Sequence, residues 1–593
     1  MGSSTALGRT GPAGGRRRLL AALLAAPLAG AAATAVALPA GASPATGLAA
    51  ATSQAAAQAA APAAAQAAAL AAAQTIRWTD CVPAAPPLQC GRVNVPLDHG
   101  NPTGAKISLA LARYPATHQA NRIGSLFINP GGPGGSGVEF ALGFGEFLSQ
   151  QLNGRYDIVG FDPRGIAAST PLVCFDSFDD LSAVLAPWAF PTTPSEEVQQ
   201  KVFDRRLAAA CTRKAGAIID HMSTADVARD LDLLRASVGD PALNYLGYSY
   251  GTQLGTVYAN LFPQRVGRMV IDGVLDPIAW TTGTPATADQ PFSTRLHSDK
   301  GAQATLGQFW TLCDRAARDT RPKTACSFGP RAKARFDALA AKLKTAPVTL
   351  PDGFTVGYSD LIGVTLGSMY SAFAWPFLAD FLVEVENGTP ARVALARARL
   401  AASLGVTTPA AAARFPQTLE GFVGVACSDG QNPANYGAWP RAGAAADAES
   451  GYFGRLWTWA SSACQPWPGQ GSDRYLGPWT ARTANPVLVV GNLYDPATRY
   501  QGAKIVSRLL PNSRLLTYAG WGHTAYLSAG SSCSDAAVSA YLLRGTLPAQ
   551  GKVCPTEFNP FTVPSGPAAQ AAAAAGARSV VGLPPAVRRA LGG

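Results

Sequence analysis

The sequence predicts an α/β protein with a mostly parallel central sheet, interrupted by a large and mainly helical insertion. Three observations predict it. Short apolar runs bounded by Gly, Pro and Asp alternate with helical patterns through the first half of the chain. That rhythm stops between Asp276 and Pro486, where helix formers and many of the 11 tryptophans take over. It then resumes at Val487, as expected when one sheet is split in sequence by an inserted lid.

The chain opens on a stretch that does not read as folded core. Arg16-Arg17-Arg18 precede an apolar, alanine-rich run from Leu19 to Leu38, and Ala40-Gly41-Ala42 places small residues where a signal peptidase cuts. Residues 1–42 are therefore expected to be an export signal; Arg16 to Leu20 also resembles a twin-arginine signal. Residues 43–75 are alanine and glutamine with little else, a linker or pro-segment. Beyond them no apolar run is long enough to span a bilayer, so no stable membrane insertion is expected once the signal is gone.

From Ile76 the texture changes to aromatics, alternating apolar residues and turn signals. Strands are predicted at Arg92–Leu97, Ile107–Tyr114, Gly124–Ile128, Asp157–Phe161, Leu243–Leu246, Arg268–Ile271, Val487–Val490 and Ser513–Thr517. Val227, Leu231 and Leu234 recur at helical spacing, so Ala225–Ser237 should pack on the sheet before the Leu243 strand. The expected organisation is a core from 76 to 277, a helical cap from 278 to 480, and the rest of the core from 481 to 556. A second, separate domain is the alternative for 278–480. Residues 557–593 return to Ala, Gly and Pro and are expected to be a disordered tail.

Charge excludes one class of partner. The formal net charge is +11, but Arg9, Arg16, Arg17 and Arg18 lie in the segment expected to be removed, which leaves +7 on the mature chain. No dense basic stripe with interleaved aromatics exists, so nucleic acid is not an expected partner. The ten cysteines are Cys81, Cys90, Cys174, Cys211, Cys313, Cys326, Cys427, Cys464, Cys533 and Cys554. An even number in an exported chain points to disulfides, and neighbour pairing is the simplest of many connectivities. Neither cysteine nor histidine clusters at metal-ligand spacing, so no metal and no cofactor is expected.

Chemistry concentrates at four places. Gly247-Tyr248-Ser249-Tyr250-Gly251 matches G-x-S-x-G, follows an apolar strand and opens a helical pattern. So tight a turn pushes the Ser249 hydroxyl out beside the positive end of the next helix, and crowding two residues to either side calls for glycine. Asn129-Pro130-Gly131-Gly132-Pro133-Gly134-Gly135-Ser136-Gly137 follows the Gly124–Ile128 strand. Acyl transfer builds negative charge on a carbonyl oxygen, and N–H groups aimed in advance at that charge stabilise it. The oxyanion hole is assigned to the Tyr250 N–H and an N–H of Gly131 or Gly132. A phosphate loop is the competing reading, but neither G-x-G-x-x-G nor a Walker lysine is present.

Of the five histidines, His99 and His118 precede the core strands, His221 precedes the serine's strand, and His297 lies in the insertion. His523 follows the last strand, where a chain order of Ser, acid, His puts the base. Asp495, just past the Val487 strand, is the natural acid, and would hold the His523 tautomer and stabilise its imidazolium. Asp162 and Arg164, in Phe161-Asp162-Pro163-Arg164-Gly165, read as a structural pair beside the site.

Taken with Ala426-Cys427-Ser428-Asp429-Gly430 and Gly520-Trp521-Gly522-His523, these motifs resemble the secreted tripeptidyl aminopeptidases, relatives of the proline iminopeptidases. The resemblance runs from about residue 76 to about 556. It implies the α/β-hydrolase fold with a helical cap, a removed pro-segment, and a secreted serine exopeptidase releasing short peptides from free N-termini. Such an enzyme must hold an α-ammonium against a carboxylate. Asp429 is the first candidate and Glu139, just beyond the glycine loop, the second. An esterase or lipase with the same triad is the rival enzyme, and a non-catalytic binding protein on the same fold is the rival outside enzymes.

Overall fold

A computed structural model of the chain describes residues 76–81, 87–319, 325–406, 418–562 and 585–591. The expected export signal and the alanine-rich linker lie outside the described residues. Ten strands form the central sheet: β1 (Thr79–Asp80), β2 (Gln89–Pro96), β3 (Lys106–Tyr114), β4 (Gly124–Asn129), β5 (Tyr156–Phe161), β6 (Leu243–Tyr248), β7 (Val266–Asp272), β10 (Val487–Tyr494), β11 (Ser513–Trp521) and β12 (Val553–Cys554). Two short strands, β8 (Val348–Thr349) and β9 (Thr355–Val356), pair separately within the insertion.

The sheet order is β1-β2-β3-β5-β4-β6-β7-β10-β11-β12. Pairing is antiparallel among β1, β2, β3 and β5, and parallel from β5 through β12. Each of the eight predicted strands is present. β7 pairs directly with β10, so strands on either side of the insertion are neighbours in one sheet. Helices cover both faces, which is why the central strands read as continuous apolar runs: β4 and β5 are buried at every position. Phe127, Val159, Tyr245 and Ile271 point to one core, while Leu126, Ile158, Leu246 and Val270 point to the other.

The insertion has its own core, built on Phe309, Trp310, Phe336, Trp375, Phe381 and Trp439. Two features depart from the expected boundaries. The excursion between β5 and β6 joins the insertion: Tyr436 Oη donates to Asp204 Oδ2 at 2.7 Å, and Arg455 pairs with Glu197. Before residue 481, Trp479 already packs into the sheet core, and the Ala481 N–H donates to Asn260. No helix among the described residues is long and apolar enough to cross a membrane.

The expected tail also differs. Phe561 is buried in the core of the insertion, and Pro585–Leu591 is a helix that buries Val587, Ala590 and Leu591 there. Gly363 and Gly367 of the helix Tyr358–Met369 make room for it; a Cβ on Gly367 would stand 2.9 Å from Val587 Cγ1. Apolar side chains at helical spacing in so short a run are too weak a signal to separate from the Ala/Gly-rich stretch before them.

The ten cysteines pair as neighbours: Cys81–Cys90, Cys174–Cys211, Cys313–Cys326, Cys427–Cys464 and Cys533–Cys554.

Candidate active site

β6 ends in a turn that leaves Ser249 at φ +57°, a left-handed conformation that a serine holds only when its surroundings impose it. The imposition is visible. A Cβ on Gly247 would lie 2.5 Å from the Gly251 carbonyl oxygen, and one on Gly251 would lie 2.8 Å from Asn129 Oδ1. Only glycine fits at both places. The Ser249 N–H donates to the Asp272 carbonyl at the end of β7 (2.9 Å), and Ser249 opens the helix Tyr250–Leu261.

The glycine loop lies against this elbow. Gly131, at φ +93°, approaches so closely that a Cβ there would be 2.9 Å from both Ser249 Cβ and the Tyr250 nitrogen. Its N–H is already given to Asn129 Oδ1 at 2.9 Å. Gly131 therefore serves as the close contact, with its own N–H already engaged. The Tyr250 N–H, in the first turn of its helix, has no intrahelical acceptor.

Asp495 and His523 meet across β10 and β11. His523 Nδ1 lies 3.0 Å from each Asp495 oxygen. That carboxylate also accepts from the Ala497 and Thr498 N–H groups and from Thr498 Oγ1, at 2.8–2.9 Å. Toward Nδ1 it acts as acceptor, which in the neutral imidazole selects the tautomer with the proton on Nδ1 and the lone pair on Nε2. Nε2 is buried and has no hydrogen-bond partner among the described residues. The ring reaches the elbow through Gly273: a Cβ there would be 3.2 Å from His523 Cε1, and Gly273 follows the residue that holds the Ser249 N–H. The insertion closes on the other side, with the His523 N–H donating to the Tyr370 carbonyl at 2.8 Å and the two rings edge to face.

Asp162 and Arg164 are both buried and structural, but they do not pair with each other as expected. Asp162 accepts from Ser136 Oγ and the Val138 N–H, capping the helix that follows the glycine loop. Arg164, fully buried, binds Asp230 and the carbonyls of Pro96 and Leu97.

Neither carboxylate nominated for an ammonium suits that work. Asp429 is buried, but both oxygens are taken: the Thr224 N–H and hydroxyl and Trp280 Nε1 (2.9 Å) donate to it. Burial pushes it up to about 6, against those donors. Since Thr224 Oγ1 also meets Tyr250 Oη at 2.5 Å, Asp429 supports the elbow from behind. Glu139 is exposed at the start of its helix, where water screens it.

Sequence reasoning missed Glu420. It lies in the first turn of the helix Thr418–Asp429, fully buried, and neither carboxylate oxygen has a hydrogen-bond partner among the described residues. Burial raises it to about 7. The same turn packs on the glycine loop: a Cβ on Gly421 would stand 3.5 Å from Gly134 Cα. A buried carboxyl with no protein donor beside such a loop is a costly arrangement.

Residues 124–301 match the family described as alpha/beta hydrolase fold, and residues 450–554 the family described as TAP-like protein. Over 82% of its length the chain is 34% identical to a tripeptidyl aminopeptidase of Streptomyces lividans, covering 87% of that protein. It is 33% identical to the serine protease Hip1 of Mycobacterium tuberculosis, over 81% of this chain and 91% of that one. It is also 30% identical to a carboxylesterase B of Mycobacterium tuberculosis, over 79% and 86% respectively.

Proposed function

This chain belongs to the α/β-hydrolase family that holds tripeptidyl aminopeptidase and serine protease Hip1, and on that footing we propose that it is an exported serine exopeptidase releasing short peptides from free N-termini. The observation that carries the reading is the His523 ring, with Nδ1 on Asp495 and Nε2 unoccupied, beside the strained Ser249 elbow.

In this reading Ser249 Oγ attacks the scissile carbonyl while His523 Nε2 takes its proton. The carbonyl oxygen becomes an oxyanion received by the Tyr250 and Gly132 N–H groups. His523 then gives its proton to the leaving amine, which departs with the rest of the polypeptide. Water, deprotonated by the same nitrogen, hydrolyses the acyl-enzyme and frees the N-terminal fragment. Asp495 stabilises the imidazolium in both half-reactions.

Glu420 receives the α-ammonium. Its oxygens have no hydrogen-bond partner among the described residues, and a substrate ammonium would supply donors; the charged pair favours the ionised carboxylate. Release of three residues at a time is proposed from the likeness to tripeptidyl aminopeptidase. Export is supported by five disulfides and by the signal-like N-terminus.

The carboxylesterase relative keeps ester hydrolysis as the second reading. Chromogenic substrates of one, two and three residues, each free and N-acetylated, decide between them. Preference for the free three-residue substrate is expected. Efficient cleavage of the blocked peptides would overturn the exopeptidase reading.

A further inference from the structure

Asp272 ends β7, one strand beyond the serine's own, and is fully buried. Its carbonyl accepts the Ser249 N–H at 2.9 Å. Its carboxylate faces the opposite partner: Oδ2 accepts from the Ala525 N–H at 2.9 Å and the Tyr526 N–H at 2.7 Å, and Oδ1 from Ala525 at 3.1 Å. One residue thus touches the backbone of the serine and of the loop that carries the histidine.

That loop needs holding. Thr524, immediately after His523, sits at φ +68°, and Leu527 at φ +58°. A β-branched residue does not adopt that conformation unless its neighbours force it. Asn492 holds the loop from one side, donating to the Gly522 and Thr524 carbonyls at 2.9 and 2.7 Å. Asp272 holds it from the other side by gathering the next two N–H groups. These donors converge on one point, and a carboxylate can accept all of them. Burial raises Asp272 to about 7, against the same N–H groups, so a polar residue is retained here at a cost in solvation.

We propose that Asp272 is a positioning residue for the serine–histidine pair, its carbonyl fixing the elbow and its carboxylate fixing the turn that aims His523. It touches no reacting atom. The inference rests on the catalytic reading above, and the two fail separately in one experiment. Wild-type enzyme, Asp272→Ala and Asp272→Asn are titrated with a fluorophosphonate, and kcat and KM are measured per labelled serine on the free tripeptide substrate.

Asp272→Ala should lower kcat on the order of 100-fold with little change in KM, as misaimed catalytic groups do. Asp272→Asn should recover much of that loss, because one amide oxygen can stand where both N–H groups meet. An Asp272→Ala enzyme with wild-type kcat per labelled serine, whatever its melting temperature, overturns the proposal. So does failure of both variants to accumulate as folded protein, which makes the residue a stability determinant only. Absence of labelling at Ser249 in the wild type overturns the catalytic reading instead.

Discussion

His523 Nδ1 stands 3.0 Å from each of the two oxygens of Asp495, so the carboxylate straddles the ring nitrogen. An amide at that position would turn either its oxygen or its NH2 toward Nδ1, and the second choice favours the tautomer protonated on Nε2. Asp495→Asn is therefore expected to lower kcat by about 10⁴. Ser249→Ala should lower it by about 10⁶ with an unchanged melting temperature, since the hydroxyl caps no helix and alanine keeps the Cβ. Steady-state kinetics with a circular dichroism melt check both; an Asp495→Asn enzyme within tenfold of wild type would remove Asp495 from the triad.

Glu420→Gln and Asp429→Asn should part company. Losing the charge at Glu420 should harm free-amine peptides by about 30-fold or more in kcat/KM and acetylated peptides little. Asp429→Asn should lower the melting temperature and affect both substrates alike, because Trp280 and Thr224 would lose an acceptor. Equal losses on both substrates for Glu420→Gln would take the ammonium away from that residue.

The pH dependence of stability has a definite sign at Glu420. Its carboxyl is raised from 4.5 to about 7 in the folded chain, so between those values the folded state holds a proton that the unfolded state has lost. The stability contribution of the protonated form is complete below about pH 4.5 and is lost as pH rises through about 7. Glu420→Gln should therefore gain in melting temperature over wild type from pH 4.5 to pH 8. A difference independent of pH would mean that the carboxyl is not raised.

Cys427 lies on the same helix as Glu420, and its bridge to Cys464 closes 37 residues. Loop-entropy arguments give such a bridge about 3–4 kcal/mol. The double variant Cys427→Ser, Cys464→Ser should melt markedly lower and discriminate less between free and acetylated peptides, because the helix that carries Glu420 loses its anchor. Calorimetry and the substrate pair measure the two effects; unchanged discrimination would show that packing on the glycine loop holds the helix alone.

What the sequence by itself determined was whatever short spacing encodes. Gly247 and Gly251 flank Ser249 because the turn itself crowds those positions, and that need is written within five residues. The strand runs and the glycine loop were legible for the same local reason, and all eight strands stand where alternation with turn signals put them. Which polar groups are left open was decided only by tertiary structure. Asp429, the first candidate for the ammonium, has its oxygens taken by Thr224 and Trp280, which lie far along the chain. Nothing in the spacing around Glu420 marks it; its burial comes from Gly134 and Ile166, which close over its turn. Spacing fixes where a backbone can turn, but burial and hydrogen-bond partners depend on contacts between distant segments, and those exist only once the chain has folded.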